Sequence, residues 1–304
     1  MVTENLPSSS SFTQKDGQDA IVSVPVETKL KIVASFSVLG DLVRQVGGDD
    51  VQVDIIDPEN ADPHVYQPKP LDAKKLSQAE LVIVNGLGFE GWLDRLIANS
   101  GFKGKIVVAA KAVKPRILLD SQAAGNVADP HAWHDVKNVI LYVTEIKNAL
   151  QQQLPDMKNK FEKAAGKYIH SLHRLDRWVQ EQFKGIKPER RKVITTHDAF
   201  SYYGVAYGIE FLSPVGVSTD AEPSAAKVAD LIRTIKEQNI RAVFIENLST
   251  RKLIEQIAKE AQANVDGVLY ADSLSDPQDT NSPAKTYIDM IRHNTFSICK
   301  AIDS

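Results

Sequence analysis

The sequence predicts an α/β protein of two lobes with mainly parallel sheets joined by one long helix. Three observations carry this prediction. Short β-branched runs alternate with helical stretches from Lys29 onward; the alternation stops after Trp133, where two helical stretches follow each other directly; and it resumes beyond "GIKPERR". Strands separated by helices build βαβ units, and βαβ units build parallel sheets.

In the first lobe the strand segments are "KIVASF", "VQVDII", "LVIVNG" and "KIVVAA". Between them lie "GDLVRQVGG", "PLDAKKLSQAE" and "FEGWLDRLIANS", which read as helices. Residues 136–153 and 156–184 then read as two helices divided by Pro155, the first capped by Asp135. At about 1.5 Å per residue the second is about 43 Å long, enough to run the length of a domain. The second lobe follows with strands "KVITT", "FLSPVGVS", "AVFIE" and "VDGVLYA", separated by helices expected at 199–207, 224–238, 250–262 and 284–301. The organisation expected is a disordered leader or tail at 1–28, an N-terminal lobe at 29–155, a linking helix at 156–185 and a C-terminal lobe at 186–304. No short tandem repeat occurs, yet the two lobes echo one another in element order.

Composition narrows the function. The chain has 304 residues, 43% of them hydrophobic, so cores of ordinary size can be buried. Lys and Arg number 36 against 39 Asp and Glu, which argues against a nucleic-acid groove or a polybasic membrane anchor and favours a small solute. Cys299 is the one cysteine; an intrachain disulfide and thiolate zinc clusters are excluded, and a packed or half-buried thiol is expected. No run of roughly 18 apolar residues suggests a spanning helix. The first 28 residues are polar and serine-rich, and neither an export signal nor a lipid-bearing cysteine is expected in them.

The triplet Asp-Pro-His occurs twice in a chain of only seven histidines, as Asp62-Pro63-His64 and Asp129-Pro130-His131. His64 follows "VQVDII" through a loop, His197 follows "KVITT", Asp272 follows "GVLYA", and His131 ends the irregular segment after "RILLDS". These are the carboxyl ends of strands, where open α/β sheets place ligands. Two come from each lobe, so they meet only if the lobes face each other across a cleft. Three imidazoles and a carboxylate suit a borderline divalent cation, zinc first and manganese second. Proline fixes its own φ and biases the residue before it, which aims each histidine from a stiffened loop.

The stretches "ADPHVYQPKPLDAKKLSQAELVIVNGLGFEGWL", "DPHAWHD", "ITTHDAFSYYGVAYGIE", "GVSTDAEPSAAKVADLI" and "LYADSLSD" together resemble the zinc- and manganese-specific solute-binding proteins of bacterial ABC importers, over roughly residues 29–302. The resemblance implies two α/β lobes on a long helix, one metal ion bound between them, and no catalysis. It implies His64, His131, His197 and Asp272 as the metal ligands, and it selects His131 over His134, which spacing alone leaves open. It also implies a periplasmic location, a permease of the inner membrane as partner, and Zn2+ as the transported ligand with Mn2+ as the alternative; a monomer is expected. Two features bear on the metal. Manganese-specific members often carry glutamate where His197 stands, which favours zinc, while a bidentate Asp272 could make a five-coordinate site that admits manganese. The histidine-rich acidic loop of many zinc-dedicated members is missing from "AAKAVKPRILLDSQAAGNVADP".

Other residues have plainer readings. Asp62 and Asp129 are expected to turn the backbone rather than touch metal. Asp198 is read as the N-cap of the following helix, with an acceptor role towards an imidazole as the alternative. His134 is expected at the surface or rim, His170 and His173 on a solvated helical face beside Lys167, Arg174 and Arg177, and His293 in a cap or at the surface. Tyr66, Trp133 and Glu246 either line the cleft or belong to core and turns. A metallohydrolase competes with the receptor reading, because an open zinc site activates water; against it, Asp272 closes the sphere and no His-Glu-x-x-His helix occurs. A surface adhesin is the third possibility.

Overall fold

The computed structural model describes residues 29–56, 62–120, 125–276 and 278–303. The stretch read as a leader, 1–28, lies outside the described residues. In chain order the first half contains β1 (Leu30–Ala34), α1 (Ser37–Gly47), β2 (Val51–Ile55), α2 (Pro70–Gln78), β3 (Leu81–Val84), α3 (Leu93–Ser100), β4 (Lys105–Val108), β5 (Ile117–Asp120) and β6 (Gly125–Ala128). Two helices follow, α4 (Val136–Gln153) and α5 (Lys158–Phe183). The second half contains β7 (Lys192–Ile194), α6 (Ser201–Tyr207), β8 (Glu210–Leu212), α7 (Ala225–Glu237), β9 (Ala242–Glu246), α8 (Arg251–Ala261), β10 (Val265–Leu269) and α9 (Tyr287–Asp303).

Both main sheets are parallel and share one topology. The first has the order β2-β1-β3-β4 and the second β8-β7-β9-β10. In each, the chain leaves the first strand to one side and later returns on the other. The carboxyl ends of β1 and β3, and of β7 and β9, therefore open a crevice at a switch point. β3 is buried along its whole length, as a strand covered on both faces must be, and its sequence Leu-Val-Ile-Val is uniformly apolar.

Each sheet has a small outer core. Val33, Ile56, Leu76, Val82 and Leu93 pack beneath α2 and α3, and Ile194, Leu231, Val243, Ile254 and Ile257 pack beneath α7 and α8. The inner faces share one larger core, which runs from Phe36 and Leu39 through Trp133, Tyr142 and Leu172 to Tyr203, Phe244 and Tyr287. The two halves are thus welded by apolar packing. Helix α5, 26 residues and about 39 Å long, lies along both. Its N-terminal half packs on α4 and α1; its C-terminal half reaches α9 and α6 through Trp178 under Arg292, Asp176 accepting from the Tyr207 hydroxyl at 3.1 Å, and Phe183 against Tyr203.

Two local features differ from the sequence reading. "RILLDS" contains β5, and the segment taken as irregular after it holds β6, which closes an antiparallel hairpin paired from Ile117↔Ala128 to Asp120↔Gly125. Its strands are four residues each and lack the even apolar–polar alternation that marks a strand. Pro155 opens a 3-10 turn, Pro155–Met157, so α5 begins at Lys158. Among the described residues no helix is long and apolar enough to cross a membrane.

Candidate metal centre

The two Asp-Pro-His triplets are one device used twice. Asp62 Oδ1 accepts the backbone N–H of His64 at 3.0 Å, and Asp129 Oδ1 accepts that of His131 at 2.9 Å. Each aspartate folds back on the residue two ahead while the proline between them fixes φ. Asp129 does more: the same oxygen lies 2.9 Å from His131 Nδ1, which leaves Nε2 to point into the crevice. His197 follows β7 through Thr195 and Thr196. Behind it stands Glu246, the last residue of β9, whose Oε1 accepts the N–H groups of Thr196 (2.9 Å) and His197 (3.0 Å) and whose Oε2 is hydrogen-bonded to His197 Nδ1. Asp272 lies just past β10. Its loop is pinned to the first half by Trp133 Nε1 donating to the Ala271 carbonyl (3.0 Å) and by the Leu274 N–H donating to Ser37 Oγ (2.8 Å).

All four residues named from the sequence come together. One donor atom from each of His64, His131, His197 and Asp272 lies within 4.8 Å of the others. His131 Nε2 is 3.1 Å from His64 Nε2 and 3.3 Å from His197 Nε2. Asp272 Oδ2 is 3.3 Å from His197 Nε2 and 3.7 Å from His64 Nε2, and Oδ1 is 3.5 Å from His131 Nε2. Oδ1 is buried and makes no hydrogen bond among the described residues. A buried carboxylate oxygen without a partner is costly unless a cation completes it, so the donor set fits a divalent metal on its own chemistry.

The electrostatics agree. Burial opposes ionisation of Asp272, but the surrounding imidazoles, His197 foremost, hold its carboxyl well below the usual range. Burial also opposes protonation of His197, yet the Glu246 and Asp272 carboxylates on either side overcome it and raise the imidazole well above its ordinary value. His64 goes the other way: burial, reinforced by the neighbouring imidazoles, lowers it to about 3. The protonated form is thus favoured at His197 and disfavoured at His64.

Several expectations are corrected. His134 is not at the rim but fully buried, its ring against Phe200 (4.5 Å between centroids) and Trp133, with neither nitrogen hydrogen-bonded among the described residues. It precedes α4, as Asp135 does by capping that helix through Lys137 N, but the turn that carries it faces α6. Asp198 caps nothing: α6 starts at Ser201 and its N-cap residue is Phe200. His293 sits inside α9, where Nε2 meets the Val268 carbonyl at 2.9 Å, rather than in a cap. Trp133 is core, and Tyr66 donates its hydroxyl to Asp72 at 2.8 Å. His170 and His173 are exposed and Cys299 is half-buried, as expected. The grip of Asp129 on the His131 ring was missed although Asp-Pro-His displays it; Glu246 had no local signal, because it reaches His197 only once β9 pairs with β7.

The sequence profile of the family described as "Zinc-uptake complex component A periplasmic" matches residues 32–301. The chain belongs to this family. Its members are solute-binding components of metal ABC transporters, outside the cytoplasm and without enzymatic activity, which removes the hydrolase reading. Among relatives, this family member is 33% identical over 265 residues to the manganese-binding lipoprotein MntA of Halalkalibacterium halodurans, covering 87% of this chain and 86% of that one. The periplasmic zinc-binding protein TroA of Treponema pallidum superposes with a TM-score of 0.84 at 28% identity, over 90% of this chain and 99% of that one. A Mn-bound periplasmic metal-binding protein of Candidatus Liberibacter asiaticus gives 0.80 at 26% identity, over 90% and 100%.

Proposed function

We propose that the chain is the receptor of a manganese importer, a periplasmic monomer that holds Mn2+ on His64, His131, His197 and Asp272 and delivers it to an ABC permease of the inner membrane. The observation that carries this reading is Asp272 Oδ1, buried beside Oδ2 and without a hydrogen bond among the described residues, which lets the carboxylate bind through both oxygens. Three nitrogens and two oxygens make a five-coordinate site, and oxygen donors with higher coordination suit manganese better than the four-coordinate geometry zinc prefers. The manganese-binding relative supports the same preference. Zinc, placed first on donor softness and on the histidine at position 197, stays as the competing cation: three imidazoles suit it, and the similar TroA is described as zinc-binding.

Zinc outranks manganese on almost any nitrogen–oxygen site, so affinity alone does not name the cargo. The decisive experiment is metal analysis of the protein taken from its native host, together with radioactive manganese uptake by cells with and without the gene. One Mn2+ per chain and a loss of manganese uptake on deletion are expected. Zinc in the isolated protein with intact manganese uptake overturns the proposal in favour of a zinc receptor. Alanine at any of the four ligand positions weakens binding strongly by titration calorimetry, and alanine at His170 or His173 leaves it unchanged.

A further inference from the structure

Three of the four donors are braced from behind: His131 by Asp129, His197 by Glu246, and Asp272 by a loop pinned at Ala271 and Leu274. His64 is held differently. Among the described residues no carboxylate stands behind its Nδ1, and its ring forms one wall of a cavity of about 580 Å³, whose far side is built by Val217, Ser218 and Asp220 of the second half. Its turn is fastened to its own half by Trp92 Nε1, which donates to the Pro63 carbonyl at 2.7 Å. It is fastened to the other half by Asp62. One oxygen of Asp62 takes the His64 N–H, and the other accepts the hydroxyl of Thr219 at 2.6 Å. Thr219 lies in the chain between Ser218 and Asp220, which line the same cavity as His64.

Apart from two half-buried bonds from Arg116 to Tyr202 and Ser201, the other side-chain links across the described seam are buried. Besides the two that pin the Asp272 loop, the Tyr287 N–H donates to Asp41 Oδ2 (2.8 Å) and the Tyr287 hydroxyl to the Trp133 carbonyl (2.8 Å). Those links join core to core. The Thr219–Asp62 link instead joins two loops at the mouth, half-buried, and it ends on the residue that sets the position of a ligand.

We propose that Thr219 is a positioning residue of the metal site: its hydroxyl clasps Asp62 and so holds His64 against the ion, and breaking the clasp is what lets His64 withdraw and the ion leave. The inference rests on the reading of His64 as a ligand. A hydrogen bond to a carboxylate is stronger than a neutral one, and its loss raises the dissociation rate on the order of tenfold. Removal of His64 itself raises it further.

The test is the rate at which Zn2+, the tighter-binding probe, passes from the loaded full chain to an excess of a fluorescent chelator in stopped flow. Thr219→Val keeps the side-chain shape and removes the donor; Thr219→Ser keeps the donor. The expected result is about tenfold faster release from Thr219→Val, wild-type release from Thr219→Ser, and no added effect of Thr219→Val in a His64→Ala background. Release from Thr219→Val within twofold of wild type, or an equal acceleration with and without His64, overturns the clasp. If His64→Ala speeds release while Thr219→Val does not, only the clasp falls; if His64→Ala leaves release unchanged, the ligand reading falls and the clasp with it.

Discussion

An aspartate two residues ahead of a histidine can satisfy that histidine's N–H, and at Asp129 it also fixes the ring's tautomer. That much is legible in Asp-Pro-His, because the contact is local. The brace on His197 is not, since Glu246 is adjacent only through the pairing of two strands. The protonated form favoured at His197 has a measurable consequence. A raised folded-state pKa favours the charged form, so its contribution to stability is complete below the ordinary value of about 6.5 and is lost as pH rises through the folded value. A metal ion needs Nε2 bare and must expel that proton. His64 is already neutral and Asp272 already ionised near neutrality, so neither adds one. Calorimetry near pH 7 in buffers of different ionisation enthalpy should show proton release from His197 on metal binding, with affinity rising as pH rises. His134 gives a second prediction. Its buried, unpartnered nitrogens lower its pKa to about 3 through desolvation, and they destabilise the fold. His134→Leu removes both polar atoms at similar volume and should stabilise by about 1–3 kcal/mol, seen as a melting point raised by several degrees with metal binding retained. Sequence placed this residue at the rim because it lies outside α4; only the packing of the turn on Phe200 reveals otherwise.

Helices and strands of the main sheets announced themselves through composition and period, and most ends fell within a few residues of expectation; "FLSPVGVS" is the exception, since β8 stops at Leu212. The elements that were missed or shifted are those decided by partners. Hairpin β5–β6 is held at its base by the second half, where the Arg116 N–H donates to the Tyr202 hydroxyl and its Nε to Ser201 Oγ, both at 2.9 Å. No window of sequence contains that contact. Within α5, Gly166 is exposed, and a methyl group added to it meets nothing within 4 Å. Gly166→Ala should therefore stabilise the chain by about 0.5–1 kcal/mol in chemical denaturation. The opposite holds for Gly204 in α6, where the added carbon falls 2.5 Å from the Ile209 carbonyl oxygen.

For the whole molecule, the sequence showed two lobes that echo each other with candidate ligands at strand ends facing one cleft, but not how firmly the two halves are joined. That follows from how the inner faces merge into one core, which depends on contacts between the two halves. Because the core is shared, heat should unfold the metal-free chain in one transition rather than two. Saturating metal should raise that transition, by about 4 kcal/mol of added stability at a thousand times Kd, and stripping with chelator should restore the lower melting point. The helix α5 also sets the scale of any movement. Treated as a rigid strut of about 39 Å, it turns a tilt of roughly 6° about one end into an arc of about 4 Å at the other and about 2 Å halfway along. A metal–imidazole bond is itself only about 2 Å long. For a donor carried halfway along such a lever arm, a rotation too small to register as an open hinge is already a full bond length, and a bond can be lost almost without changing the molecule's silhouette.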